Sequence, residues 1–127
     1  MRRVINQAPN DFIYLGGNDN EIFDCLESGG DGLISVIANI VPNLMQSIIS
    51  NYSTNPQWSK GSFANLAPLI QHLQENGNPQ VIKHMVQSVF SISSCFRLPL
   101  TSVDDSVKSA IESSLSSVGI NPEEISA

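Results

Sequence analysis

The stretch "GGDGLISVIANI", residues 29–40, constrains the fold of this chain more than any other. Two glycines and an aspartate lead into Leu33, Ile34, Val36 and Ile37, a nearly continuous apolar run in which hydrophobic and polar residues do not alternate. That pattern predicts a strand covered on both faces, as in a parallel α/β sheet or barrel. Such a strand needs neighbours on each side, because an uncovered edge leaves its N–H and C=O groups unpaired.

The chain is long enough for one domain with its own core: 127 residues, 41% hydrophobic and only 14% charged, a globular balance. Twelve acidic against six basic residues give a net charge of −6, the wrong sign for gripping nucleic acid or an anionic membrane, so neither is expected as a partner. The opening "MRRVINQAPND" lacks the apolar core of a signal peptide, and Asn39 interrupts the longest apolar stretch. A soluble, cytoplasmic protein is expected. Cys25 and Cys95 lie seventy positions apart with no CxxC and no nearby histidine pair, which predicts two reduced, mostly buried thiols and neither a zinc site nor a disulfide.

Residues 11–15, "DFIYL", predict a strand ending at Gly16 and Gly17. Ile22, Phe23 and Leu26 then take helical spacing, with Asp19 or Asn20 as N-cap and Gly29 or Gly30 as the stop. A second strand is expected over residues 32–38. The helix after it opens at Pro42 and aligns Leu44, Met45, Ile48, Ile49 and Tyr52. The order is strand, helix, strand, helix. From Asn55 onward the β-branched runs stop and three helices are expected. The first, capped by Asn55 and carrying Phe63, Leu66, Ile70 and Leu73, should kink at Pro68. The second opens at Asn78 and Pro79 and turns Ile82, Met85, Val86, Val89 and Phe90 inward. The third starts near Ser102, carries Val103, Val107, Ile111, Leu115 and Val118, and stops at Gly119. Residues 1–54 thus form two βα units and residues 55–127 a helical domain.

This order, with the strings "YLGGND", "GGDGLISVIAN", "NPQVIK" and "RLPL", resembles the C-terminal half of the dihydrodipicolinate synthase family, within the wider group of pyruvate-dependent aldolases that includes N-acetylneuraminate lyase. The resemblance runs from about Asp11 to Ile120, and "GLISVIAN" is closer to the synthases than to the sugar-acid lyases. It implies an α/β fold: the C-terminal part of a TIM (β/α)8 barrel, with residues 11–15 as strand 7 and residues 32–38 as strand 8, followed by a three-helix C-terminal domain. A full barrel takes about 250 residues. The resemblance therefore implies that strands one to six are absent from this chain.

The resemblance implies a lyase that joins pyruvate, held as a Schiff base on a lysine, to aspartate semialdehyde in lysine and diaminopimelate biosynthesis, with no cofactor. A Schiff-base lysine must lose its proton near neutral pH, which desolvation inside a barrel promotes. In the family that lysine lies on the sixth strand, before Met1 by this alignment, so no catalytic residue is assigned and the chain alone is expected to be inactive. The proton-relay tyrosine, the threonines holding the pyruvate carboxylate and the arginine meeting the aldehyde's carboxylate also come from the missing part. Lys83 matches a position beside the Asn-Pro motif that is not the nucleophile, and reads as a surface or helix-packing lysine. The substrate-binding positions carried over are Ile34, lining the pyruvate pocket, and Gly17 with Asn18, on the rim where the aldehyde enters. The family's Ser-Gly-Asp-Asp is here Gly16, Gly17, Asn18 and Asp19, so the rim loses a carboxylate, and the second proline of Asn-Pro-x-Pro is Val81.

Read without the resemblance, Ile34 is a core residue, "GGND" a tight strand-to-helix turn, and "RLPL" an extended connector with Arg97 paired to an acidic neighbour and Pro99 delaying the next helix. His72 and His84 lie within helices without a ligand set, so no metal is expected. Two functions remain open. One is a fragment of the synthase that pairs with a complementary N-terminal half or with itself; the other is a non-catalytic interaction module built on the helical tail. In either case Phe12, Tyr14, Leu33, Ile34, Val36 and Ile37 are expected to lack the side chains that would face them in a closed barrel.

Overall fold

The turn at Gly29 and Gly30 shows how glycine placement shapes this molecule. A computed structural model describes residues 2–5, 7–9 and 11–120. A short helix α1 (Arg2–Ile5) precedes strand β1 (Leu15–Gly16); a 3-10 turn at Asp19–Glu21 then leads into α2 (Ile22–Glu27) and strand β2 (Gly32–Leu33). Helix α2 ends where the Gly29 N–H meets the Leu26 carbonyl at 3.0 Å and the Gly30 N–H meets the Cys25 carbonyl at 2.9 Å, with Gly29 at φ +90°. This paired C-cap needs a left-handed residue, which makes Gly29 the stop. Gly30 serves close approach: a Cβ there would stand 2.4 Å from Cys25 Sγ and 3.0 Å from the Cys25 carbonyl oxygen.

The strands pair in parallel, Leu15 opposite Gly32 and Gly16 opposite Leu33, and α2 is the crossover that a parallel pair requires. Bonds from the Asp31 N–H to the Tyr14 carbonyl (2.8 Å) and from the Ile34 N–H to the Gly16 carbonyl (2.9 Å) continue the pairing at either end. Both strands are shorter than the sequence predicts. The first spans Leu15–Gly16 rather than residues 11–15. The second stops at Leu33, because residues 35–39 fold into a 3-10 turn (Ile37–Asn39) anchored by side-chain hydrogen bonds. Ile34 is accordingly 69% exposed, where the apolar run read as a covered strand. The expectation of unpartnered apolar residues divides: Phe12 and Ile34 are exposed, Tyr14, Leu33 and Val36 are half-buried, and Ile37 is fully buried.

Helices α3 (Pro42–Asn51), α4 (Pro56–Ala64), α5 (Ala67–Glu75), α6 (Gln80–Phe90) and α7 (Asp105–Ser117) complete the described chain. The region after Asn55 therefore holds four helices where three were expected. Pro68 does not kink one long helix. The chain breaks at Asn65–Leu66, and Pro68 sits in the first turn of α5, where its missing N–H leaves no bond unmade. Asn55 caps α4 as expected, its side chain accepting from the Trp58 N–H at 3.2 Å. Helix α6 begins at Gln80, after Asn78 and Pro79, and α7 begins at Asp105 rather than near Ser102. Gly119, at φ +76°, closes α7 with the same cap geometry as Gly29 and turns Ile120 into the core.

One core joins both halves of the chain. Ile37 and Ile40 from the turn after β2, with Met45 and Ile48 of α3, lie in the same buried cluster as Leu69, Ile70, Val81, Met85, Ile111 and Leu115. Of these, Ile40, Leu69 and Val81 fall outside the apolar faces read from the sequence. A second set of contacts clips α2 to α3 and α4: Glu27 Oε1 accepts from the Tyr52 hydroxyl at 2.7 Å and pairs with Lys60 Nζ at 2.9 Å, while Phe23 packs on Tyr52 and Phe63. Both cysteines are free, yet Cys95 is exposed, contrary to the expectation of two buried thiols. Arg97 makes no ion pair with any described acidic residue.

Burial raises the pKa of the Cys25 thiol, so at neutral pH it stays protonated and inert while Cys95 is open to reagents. Alkylation should therefore label Cys95 at once and Cys25 only as the fold opens. Gly30→Ala should lower stability by about 1–3 kcal/mol, the range for forcing atoms into a filled space. Denaturant titration would measure the loss, and Cys25 labelling should begin at correspondingly lower denaturant.

Candidate functional site

Parallel α/β folds place their ligands at the carboxyl ends of the strands, where helices and turns begin. In this chain those ends carry Gly17 and Asn18 after β1 and Ile34 and Ser35 after β2. The Ile34-to-Gly16 hydrogen bond sets the two ends side by side. All three residues singled out from the sequence, Gly17, Asn18 and Ile34, are exposed. The Asn18 carboxamide donates to Glu21 Oε1 at 3.1 Å.

The residue that organises this end is Asp19, read from the sequence only as a cap for the helix that follows. Its buried carboxylate turns the other way. Oδ1 accepts from the Ser35 hydroxyl, and Oδ2 accepts from the backbone N–H groups of Val36 (3.1 Å) and Ile37 (3.2 Å). Ser35 Oγ in turn accepts from the Ala38 N–H at 3.0 Å, the spacing of a serine N-cap. One carboxylate thus ties the loop after β1 to the turn after β2 and satisfies donors that would otherwise be buried without partners. The serine three residues before Ala38 was the signal available in the sequence. The distant aspartate that completes the cap carried no local signal.

A cleft of about 250 Å³ opens beside this bridge, and its walls come from both halves of the chain: Asn18, Asp19 and Asn20 from the loop, Val36 from the turn, and Gln74 and Asn78 from the helical region. Gln74 and Asn78 were not assigned to a site from the sequence. The Asn-Pro pair at 78–79 read as a helix opening, and only the fold carries Asn78 to the strand ends.

No lysine stands there. Lys60 Nζ is held by Glu27, Lys108 Nζ by Asp105 at 2.7 Å, and Lys83 Nζ by the Cys95 carbonyl, above the Phe96 ring at 4.8 Å from its centroid. The hydrogen bond and charge of Glu27, with help from Tyr52, raise the Lys60 pKa, the opposite of what an amine nucleophile needs. Lys83 clamps the connector to α6, in keeping with its reading as a packing residue. His72 Nε2 lies 3.0 Å from Ser114 Oγ and His84 Nε2 lies 3.3 Å from Glu112 Oε1, contacts that join α5 and α6 to α7. Among the described residues no group of three or more His, Cys, Asp or Glu is placed to hold a metal ion, and no helix is long and apolar enough to cross a membrane.

The profile of the dihydrodipicolinate synthetase family matches residues 1–118. The chain belongs to that family. Among its relatives is a 4-hydroxy-tetrahydrodipicolinate synthase from Macrococcus caseolyticus, 38% identical over 100 residues, covering 79% of this chain and 34% of that protein. Another, from Coxiella burnetii, is 32% identical over 121 residues, covering 94% of this chain and 42% of the relative. The fold is similar to the crystal structure of dihydrodipicolinate synthase from Thermotoga maritima, with a TM-score of 0.87 and 31% identity over 94% of this chain and 42% of that one. The chain therefore spans about two fifths of the length of these dihydrodipicolinate synthetase family members. The family reading carried by "YLGGND", "GGDGLISVIAN", "NPQVIK" and "RLPL" holds.

Asp19→Ala should cost about 1.5–3 kcal/mol, the range for hydrogen bonds to a charged acceptor. Hydrogen exchange would localise the loss, with the Val36 and Ile37 amides losing protection before those in the middle of α6. Unchanged exchange at both amides would show that the bridge does not hold the turn.

Proposed function

We propose that this chain forms the last part of a pyruvate-dependent lyase of the 4-hydroxy-tetrahydrodipicolinate synthase type. In this reading β1 and β2 are the seventh and eighth strands of a (β/α)8 barrel, residues 1–54 hold the last two βα units, and residues 55–127 form the C-terminal helical domain. The observation that carries the proposal is the state of the sheet. Among the described residues it has two strands, both lacking an outer neighbour, and Phe12 (56% exposed), Ile13 (70% exposed) and Ile34 stand open beside it in a chain of this family. Covering a large apolar side chain contributes about 1.5–3 kcal/mol, so these residues favour association with further strands. What covers them in this reading is the first six strands of such a barrel.

In the assembled barrel the pyruvate would meet Ile34, and the aldehyde substrate, aspartate semialdehyde, would enter past Gly17 and Asn18. Asp19 would hold the Ile34–Ile37 segment still while the carbon–carbon bond forms. The amine that attacks the keto group of pyruvate, with loss of water to give the Schiff base, would come from those six strands, because Lys60, Lys83 and Lys108 are all engaged away from the strand ends. The reaction uses no cofactor.

Treatment with pyruvate and borohydride, followed by intact mass, tests this. The chain alone should gain no pyruvyl adduct and should bind a hydrophobic dye. Mixed with a segment of a relative that carries strands one to six, it should release the dye, and the adduct should form on that segment. An adduct on Lys60, Lys83 or Lys108 would overturn the reading. Complex formation without adduct or activity would favour the non-catalytic interaction module instead.

A further inference from the structure

Helix α6 carries a polar stripe that its surroundings do not use. Its core face is Val81, Ile82, Met85 and Val89. Gln80, His84 and Gln87, at positions i, i+4 and i+7, form a second face that runs from half-buried Gln80 and His84 to exposed Gln87. It lines a cavity of about 270 Å³, closed on the far side by Ser94 and Phe96 of the connector and by Lys108 of α7. The site lies in the helical region, lined by none of Gly17, Asn18, Asp19 or Ile34.

Two details indicate what would fill it. His84 is 12% exposed at its side chain, and its Nε2 is sealed from solvent, yet that nitrogen has no aligned hydrogen bond, Glu112 lying 3.3 Å away in poor geometry. The space is far larger than the one or two waters that would satisfy it. Gln87 Oε1 already accepts from the Ser94 hydroxyl at 2.6 Å, so the carboxamide has its NH₂ left to donate. Lys108 supplies a positive charge whose partner, Asp105, is a solvent-exposed residue three positions away on the same helix. Pairs of that kind are weak and readily exchanged. A charged side chain, an amide with its donor end unspent and an aromatic ring line one space.

We propose that this cavity is a binding site for a small organic carboxylate, whose carboxyl group takes Lys108 and the Gln87 amide while its carbon chain lies against Phe96. Two carboxylates stand near: Glu112, more than half exposed, lies 3.3 Å from His84 Nε2, and Asp105 lies 2.7 Å from Lys108 Nζ, where the ligand's carboxyl group would displace it.

Lysine acetylation read by mass spectrometry tests the proposal on the intact chain in any state of association. The probe is sodium succinate, with sodium chloride at matched ionic strength as the control and Lys60 as the internal reference. With a Kd of about 1 mM, succinate at about 10 mM leaves roughly a tenth of the sites free, and Lys108 acetylation should fall about tenfold while Lys60 is unmoved. Gln87→Glu, a surface change of the same shape that replaces the donor with a second carboxylate, should abolish the protection. Glu112→Gln, which removes the opposing charge, should strengthen it. Equal acetylation of Lys108 with and without succinate would overturn the proposal, as would equal protection by chloride or undiminished protection in Gln87→Glu.

Discussion

The Asp19 carboxylate is the constraint on which the rest of the arrangement depends. It reaches from the loop after β1 to Ser35 and to the Val36 and Ile37 amides, and the turn held there delivers Ile37 and Ile40 into the core. A charge buried against three donors keeps its hydrogen bonding without water, so the turn is specified by chemistry rather than by propensity. Ile34, one residue before that turn, is held by its own N–H on the Gly16 carbonyl. One side chain thus links the loop after β1 to the turn that feeds the core.

Around that bridge the two halves of the chain behave as one body. The apolar faces of α5, α6 and α7 close over residues from before Asn55, while Glu27, Tyr52 and Lys60 join α2 to α3 and α4 at the surface. The exposed polar clip orients more than it stabilises, since ion pairs in water contribute little. The buried cluster carries the energy. Phe12, Ile13 and Ile34, beside the strands, stay outside that cluster and exposed. A family member spanning two fifths of its relatives thus has a buried helical core and exposed apolar residues beside its strands.

The open face and the cavity on α6 pose separate chemical problems. At the strand ends the walls are side-chain amides and one carboxylate, which is spent on the Ser35 hydroxyl and the Val36 and Ile37 amides. On α6 the walls combine a free amide donor, a lysine and an aromatic ring, the makings of an anion site. The two share no lining residue and can be altered one at a time.

Much of the architecture was written locally. Asn55 before Pro56, Gly29 after Leu26 and the spacing of Met45 with Ile48 each determine a helix end or face, because capping bonds and the 3.6-residue repeat act within a few residues. The family, too, was legible from four short strings in order. Other features arose only when distant segments met. The apolar run at residues 32–38 did not become one strand, since Asp19 and Ser35 offered its backbone better hydrogen bonds than a strand without an outer neighbour. The helix expected through Pro68 divided at Asn65–Leu66, and Leu66, Leu69 and Ile70 lie in the core beside Met45 and Met85. Asn78 reached the strand-end cleft, and Gln87 the cavity, through packing of helices far apart in the chain. Sequence by itself determined the elements and the family, through interactions that span a turn or two. Tertiary structure alone decided which carboxylate caps which turn, which lysines are already engaged and which polar faces enclose space, because those depend on contacts between residues many positions apart.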